Sequence, residues 1–230
     1  MAFTGFGKDF FTFFRELAAN NDKAWFEANK ARYKEKVVAP VSDFITAIAP
    51  KLRKVSPHFV ADPRPVGGSM FRIYRDTRFA KDKSPYKTNT GVQFRHTAGR
   101  DAHAPGFYLH LAPKRIFFGG GAWMPPTPLL NAVRTRISEQ PAAWKKAITA
   151  PSLLETFGGL GAGDPLARPP KGFAPDHPHI DDIRKRSFFV TVEATEADAG
   201  KPAFLGDVAE AYGAAKPIMR FLTQASGHAF

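Results

Sequence analysis

The chain has 230 residues, of which 43% are hydrophobic, and it carries a formal charge of +12 at pH 7. It contains no cysteine, which excludes structural disulfides, thiolate metal sites and a cysteine nucleophile. The apolar start of the chain is interrupted by Lys8-Asp9 and Arg15-Glu16, so neither a signal peptide nor a membrane span fits, and we expect a cytoplasmic protein with no membrane partner.

The first 60 residues predict three helices. Apolar side chains recur there at helical spacing, and Asn20-Asn21-Asp22 is a typical signal for the end of one helix and the start of the next. The recurring side chains are Phe6, Phe10, Phe13, Phe14 and Leu17, then Trp25, Phe26 and Tyr33, then Val41, Phe44, Ile45, Ile48 and Leu52.

The middle of the chain predicts β-strands, because alternating segments are separated by turn residues. The expected strands cover 70–79, 87–96, 106–112 and 115–119.

Further on, Thr127-Pro128 predicts a helix start. The stretch Gly158 to Pro178 is a long Gly- and Pro-rich loop, either a lid or a surface connection. A strand from Phe188 to Val192 precedes a C-terminal helix.

This order favours an α+β fold, with a mainly antiparallel sheet built from the middle of the chain and covered by N-terminal and C-terminal helices. We expect residues 1–230 to form a single domain. Its parts are a helical one at about 1–60, a β-rich basic one at about 66–124 and a mixed one at about 127–230. The sequence leaves the oligomeric state open.

The positive charge is concentrated in the middle. The segment from Lys51 to Phe118 contains 14 basic and 4 acidic residues, whereas the segments on either side are almost neutral. A concentration of positive charge of this kind attracts nucleic acid, acidic protein or phosphorylated small molecules, and it does not distinguish among them.

Most of the information about function lies between Phe71 and Thr88. Guanidinium groups offer a planar fork of donors suited to carboxylate or phosphate, so three arginines at a spacing of three suggest an anion site. The basic residues are Arg72, Arg75, Arg78, Lys81, Lys83 and Lys87.

If the strand is regular, Arg75 lies on its apolar face and needs a partner, a bulge or a bound anion. The turn at Pro85 predicts a hairpin-like return that brings Lys83, Tyr86 and Lys87 back beside Arg78. We therefore interpret Arg72, Arg75, Arg78, Lys83, Tyr86 and Lys87 as anion-binding, supported by Tyr74, Asp76 and Asp82. A solvated basic hairpin is the plain alternative.

The spacing R-x-x-R-D-x-R-F-x-x-D-K-x-P-Y-K-T, from Arg72 to Thr88, resembles the hallmark of a bacterial and fungal family known only as a domain of unknown function. This hallmark segment is accompanied by further likeness over nearly the whole chain. The resemblance implies membership of that family and a whole-chain domain, and it brings no activity. The further matching residues are Asn20-Asn21, Trp25-Phe26, Tyr33, Gly106-Phe107-Tyr108, Phe118-Gly119-Gly120-Gly121, Trp123, Pro170-Lys171-Gly172-Phe173 and Asp176-His177-Pro178.

Two other patterns are weaker. The run Gly119-Gly120-Gly121 lies between a predicted strand and a predicted helix. Such a run is typical of a tight turn. A loop that folds over the arginine pocket and offers its N–H groups to phosphate is the less favoured interpretation. His177 and His179, near Asp176 and Asp181, lack the spacing of a metal site, so we expect no metal and no cofactor. No G-x-S-x-G motif surrounds Ser69.

Three functional hypotheses follow. The first is a pocket for an anionic small molecule or phosphate-containing ligand, the second a nucleic-acid-binding module on the same basic surface, and the third a purely structural arginine network. Enzymatic activity is left open. Asp76 and Asp82 would be poor general bases beside arginines, and Tyr74 or Tyr86 could act as proton donors if nearby cations lower their pKa.

Overall fold

The computed structural model describes residues 3–99 and 103–230. A five-stranded antiparallel sheet takes four of its strands from residues 59–122 and is combined with helices from both ends. The α+β class is therefore confirmed. In the described ranges, no helix is both long enough and apolar enough to cross a membrane.

The N-terminal helices follow one another closely, and the predicted break between the first two is confirmed. Asn20 ends the first helix, and the Asp22 carboxylate caps the second by accepting the backbone N–H of Trp25 at 2.9 Å. The elements are α1 (Lys8–Ala19), α2 (Lys23–Ala28), α3 (Lys30–Tyr33), a π-helical turn (Lys34–Val38) and α4 (Ala39–Val55).

The strands are arranged in the sheet in chain order, and each pairs antiparallel with the next. The predicted strand 106–112 is found with the same bounds. The strands are β1 (Phe59–Val60), β2 (Thr90–His96), β3 (Gly106–Ala112), β4 (Arg115–Ala122) and β5 (Phe188–Ala194).

The two faces of the sheet differ. On one face, Phe107 and Phe94 pack against Tyr212 of helix α10 (Phe204–Ala214), which buries that face. Successive side chains of a strand point to opposite faces, so the alternate β3 residues Tyr108 and His110 lie on the other face. Phe71, just before Arg72, lies against Tyr108 on that second face, with the ring centres 6.2 Å apart.

The predicted strand 70–79 is wrong. Residues 70–79 lie outside regular strands and make only isolated bridges, Met70 with Val92 and Tyr74 with Tyr86. Part of the reason is local competition for backbone N–H groups, since the Asp76 and Asp82 carboxylates accept the N–H of Arg78 and of Ser84. The hairpin-like return is nevertheless present.

The interpretation of Gly119-Gly120-Gly121 as a loop is also wrong, because the three residues lie inside β4. A Cβ on Gly119 would lie 1.9 Å from the Val190 carbonyl oxygen, and one on Gly120 would lie 2.8 Å from the Met219 sulfur. The glycines therefore allow β5 and a C-terminal helix to approach β4, and they do not cover the arginines.

The C-terminal half supplies short helices around the sheet. The helix predicted at Thr127 begins there. The elements are α5 (Thr127–Glu139), α6 (Pro141–Ile148), α7 (Pro151–Phe157), α8 (Ile180–Ile183), α9 (Glu196–Ala199), α10, and α11 (Lys216–Ala225).

The long loop 158–178 is held to the structure by its backbone. Gly161 donates its N–H to Phe189, Leu166 donates to Arg184, and Arg186 donates to Gly163, at 2.8–2.9 Å. These bonds attach the first part of the loop, residues 161–166, to the rest of the structure.

Candidate functional site

The hallmark segment is held against the sheet and against itself by backbone hydrogen bonds. The N–H of Phe71 donates to Gly91 of β2 at 2.9 Å, which attaches the start of the segment to the sheet edge. Across the hairpin, Lys87 donates to Ile73 at 2.8 Å. Ile73 is buried, so the base of the hairpin is part of the core.

The N-terminal helices hold the returning strand of the hairpin. The side-chain amide of Asn21 donates to the Tyr86 carbonyl at 3.0 Å and accepts the Tyr86 N–H at 3.1 Å. The Tyr86 ring is buried and stacks on Phe26 with the ring centres 4.1 Å apart. Tyr86 is thus an anchor, and burial raises the pKa of its hydroxyl, contrary to the lowered pKa considered from the sequence.

The hallmark arginines do not converge on one point. Arg75 forms an ion pair with Asp82, and Arg78 forms one with Asp76, with Nη2 and Oδ2 2.7 Å apart. Lys83 donates to the Thr77 carbonyl at 2.9 Å. The segment therefore neutralises two of its own arginines with its own two aspartates.

The aspartates do not resemble general bases. Bonding to Arg78 lowers the pKa of Asp76, while the Ser84 hydroxyl and then Arg75 hold that of Asp82 well below its usual range. Both carboxylates stay ionised near neutral pH, which agrees with the expectation from sequence.

A cleft of about 390 Å³ opens between the hallmark segment and the second face of the sheet. Of the sequence-predicted residues it brings together Arg75, Lys87 and Asp76, while Arg78, Lys83 and Tyr86 do not line it. Its wall and floor are formed by Phe71, Arg75, Asp76, Lys87, Asn89, Gly91 and Tyr108.

Three polar side chains form a chain of hydrogen bonds that ends in the cleft. Asn89 Nδ2 lies 3.4 Å from His110 Nε2, and His110 Nδ1 lies 3.2 Å from the Tyr108 hydroxyl. A neutral imidazole that accepts from Asn89 at Nε2 carries its proton at Nδ1 and donates it to Tyr108. The Tyr108 O–H is then free to donate into the cleft.

The burial of these groups fixes their protonation. Burial, with a smaller contribution from Arg115, lowers the pKa of His110 to about 4. Burial also raises the pKa of Tyr108 to about 12. The ring of Phe117 stacks on His110 with centres 4.7 Å apart, which holds the imidazole in place. At neutral pH the imidazole is uncharged and the phenol keeps its proton.

Lys87 is a cation of the hallmark segment that lines the cleft together with Arg75. Its Nζ donates to the carbonyl of Arg72 at 3.0 Å and lies 5.6 Å from the centre of the Phe71 ring. No carboxylate of residues 3–99 or 103–230 pairs with it, whereas Asp76 and Asp82 are engaged elsewhere. Burial, followed by the charge of Arg72, lowers the pKa of Lys87.

Comparison with known proteins agrees with the resemblance of the hallmark segment. The model of a family described as a conserved hypothetical protein, DUF2461, matches residues 9–221. The chain belongs to this family. A search of curated proteins found no match, and neither did a search of solved structures.

The sequence interpretation of this DUF2461 chain missed Asn89, Tyr108 and His110 as site residues. A signal was present, because Tyr108 and His110 are the polar positions of an alternating strand whose other side is apolar. Tyr108 lines the same cleft as Lys87 because β3 pairs with β2, which the spacing of the hallmark does not reveal.

The other candidates have structural surroundings. Ser69 Oγ donates to the Val60 carbonyl and accepts the Asp62 N–H, so it stabilises a turn. His177 Nδ1 accepts the backbone N–H of His179. Within the described part of this DUF2461 chain, no three His, Asp or Glu side chains are grouped as metal ligands would be.

Proposed function

We propose that the cleft between the hallmark segment and β3 binds a small anion that carries a phosphate, sulfate or carboxylate group. The observation that carries the proposal is Lys87, a half-buried cation at the cleft without a carboxylate partner among the described residues. A buried charge is costly when it lacks a counter-charge, so a bound anion would stabilise this site.

The surroundings of Lys87 supply a directed donor. Tyr108 is oriented by His110 and Asn89 so that its O–H points away from the imidazole. A charged donor and an oriented neutral donor in one cleft favour an oxygen anion over a cation. Arg75 adds positive charge at the edge, weakened by its pairing with Asp82.

The proposal is narrower than the expectation from sequence. It keeps Lys87 and Arg75 as binding residues and Asp76 as part of the wall. Arg72 contributes through its charge beside Lys87. It leaves out Arg78, Lys83 and Tyr86, whose side chains are engaged elsewhere.

Titration calorimetry with phosphate, sulfate and acetate tests the proposal on the parent, Lys87→Met and Lys81→Met. Lys81 is an exposed lysine of the same hairpin that does not line the cleft, so its variant loses the same charge elsewhere. A charge-assisted hydrogen bond contributes about 1.5–3 kcal/mol, so Lys87→Met should weaken binding at least about tenfold. Equal affinity in a stably folded Lys87→Met protein would overturn the proposal.

A second candidate, single-stranded nucleic acid, is favoured by the tip of the hairpin. The ring of Phe79 is 95% exposed, and the guanidinium of Arg78 lies 5.9 Å from its centre. An exposed aromatic beside arginine and lysine is a stacking surface for bases.

Fluorescence anisotropy with single-stranded RNA and DNA oligonucleotides, over a range of salt concentrations, tests this candidate. Binding should fall steeply with salt. Phe79→Ala should remove about 1–3 kcal/mol per stacked base, whereas Val66→Ala changes an apolar side chain that is likewise exposed but lies outside the hairpin. Absence of binding at low salt eliminates the candidate.

A further inference from the structure

We infer that Lys87 is a nucleophilic amine that condenses with the carbonyl group of a small 2-oxo acid held in the cleft, forming an imine. The inference rests on the proposed anion site, because Arg75 of that site would hold the carboxylate of the acid while the Lys87 amine stays free to react. It assigns to the cleft a chemistry that simple anion binding does not require.

The environment of the Lys87 amine favours a reactive, uncharged form. A lysine paired with a carboxylate is held as an ammonium ion, which has no lone pair and cannot attack a carbonyl carbon. Lys87 donates instead to an uncharged acceptor, the carbonyl of Arg72, and the aspartates of the hallmark segment are engaged by Arg75 and Arg78. Activation of a lysine by partial burial beside another cation is an established route to a reactive amine.

The cleft leaves a small acid both the space and the access that it needs to reach Lys87. Lys87 is only half-buried and lines an open cleft of about 390 Å³, so a small acid can reach the amine. Phe71 provides an apolar surface beside Nζ, and Arg75 lies on the same cleft to attract the carboxylate. Lys81 and Lys83 lie on the same hairpin and do not line the cleft.

Tyr108 can transfer the protons that imine formation requires. When the neutral amine attacks the carbonyl carbon, one C–N bond forms and the carbonyl oxygen gains negative charge. Tyr108 donates its proton to that oxygen and takes one from the attacking nitrogen, which gives a neutral carbinolamine. The oxygen then leaves as water with a second proton from nitrogen, so one imine and one water are produced and no oxidant or reductant is consumed.

Reductive trapping tests the inference. The parent protein is incubated with pyruvate and cyanoborohydride, which reduces an imine to a stable secondary amine, and adducts are located by peptide mapping. We expect Lys87 to be modified at least about tenfold faster than Lys81 or Lys83, because the cleft supplies proximity that exposed lysines lack. Equal modification of the three lysines would overturn the inference.

Two variants distinguish the contribution of the Lys87 amine from that of the neighbouring Tyr108. Lys87→Arg keeps the positive charge without an amine nucleophile, so it should give no adduct in this segment above that of Lys81, while acetate binding weakens by no more than about tenfold. Tyr108→Phe should slow the formation of the Lys87 adduct, measured at a temperature where the variant is fully folded because the change removes the hydrogen-bond acceptor of His110. An unchanged rate in Tyr108→Phe would remove Tyr108 from the step.

The outcomes distinguish the two proposals. If acetate binds through Lys87 and pyruvate gives no adduct there, the imine inference is wrong and the anion site stands. If pyruvate modifies Lys87 selectively while acetate and phosphate do not bind, the anion site is wrong in its present form.

Discussion

Asn21 and Tyr86 lie 65 positions apart in the sequence and are joined by two hydrogen bonds, in which one side-chain amide satisfies both backbone groups of one tyrosine. The returning arm of the hairpin has no neighbouring strand on this side, and the Asn21 side chain makes the hydrogen bonds that such a strand would make. The position of Lys87, the next residue, is therefore set partly by the link between α1 and α2.

Asn21→Ala should loosen the hairpin. The variant leaves the N–H and the carbonyl of Tyr86 without their partner, which costs about 1–3 kcal/mol of the free energy of unfolding. Hydrogen exchange should increase in the segment 72–87 and anion affinity should fall with it. Asn20→Ala is the matched control, because the Asn20 side chain bonds to the Glu16 carbonyl of its own helix and does not contact Tyr86. Similar exchange in both variants would contradict the role of Asn21.

Asp82→Asn should strengthen anion binding. Asp82 neutralises Arg75, so its replacement by an uncharged isostere releases a guanidinium beside the cleft. We expect about a three- to tenfold gain in phosphate affinity, measured by calorimetry. Asp181→Asn gives the same change of net charge at an exposed ion pair outside the cleft, and it should leave the affinity unchanged. A loss of affinity in Asp82→Asn would show that Arg75 needs Asp82 to hold its position.

Gly91→Ala should damage the floor of the cleft. A Cβ at this position would lie 2.5 Å from the Tyr108 hydroxyl oxygen and 2.9 Å from the Phe71 ring, so both side chains must move. Overpacking of this kind costs about 1–3 kcal/mol of stability and should also weaken anion binding. Gly213→Ala is the control, since its helical position has free space and alanine should be neutral or stabilising there. Thermal unfolding and calorimetry provide the two measurements.

Acid should destabilise the protein through His110. Its pKa is about 4 in the folded state and lies below the usual 6.5, so between these values the unfolded chain binds more protons. Stability from this group is therefore complete above pH 6.5 and falls as the pH decreases toward 4.

The size of this effect is on the order of 2 kcal/mol, after allowance for partial exposure. His110→Gln, which cannot titrate, should show a smaller loss of the free energy of unfolding between pH 7 and pH 4 in denaturant titrations. Some loss will persist in the variant because the pKa of His96 is lowered as well, first by burial. Parallel curves for parent and variant would contradict the assignment.

The sequence predicts structure well where the spacing of apolar residues reflects which side chains are buried. The alternation of Phe107, Leu109 and Leu111 predicts β3 with its correct bounds, because one face of that strand is packed against helices. The cap at Asp22 was equally readable, since a short acceptor side chain at a helix start has one local function.

The hallmark segment was less predictable. Its parity suggested a regular strand, yet Asp76 and Asp82 bind nearby N–H groups and neutralise Arg78 and Arg75, and these contacts depend on turns that periodicity does not encode. Tyr108 and His110 were missed as site residues for a different reason. Tyr108 lines the same cleft as Lys87 only because the fold brings two separate parts of the chain together, and His110 acts through its bond to Tyr108.

The exposed Phe79 at the end of the hairpin has a consequence for how this fold tolerates change. The base of the hairpin is fixed by Ile73 and Tyr86 in the core, whereas the aromatic ring at its far end packs against little besides Arg78. Amino-acid replacements at that end therefore cost the folded state almost nothing. The hallmark spacing nevertheless includes this phenylalanine, so the ring is available for a role outside the folding of the chain.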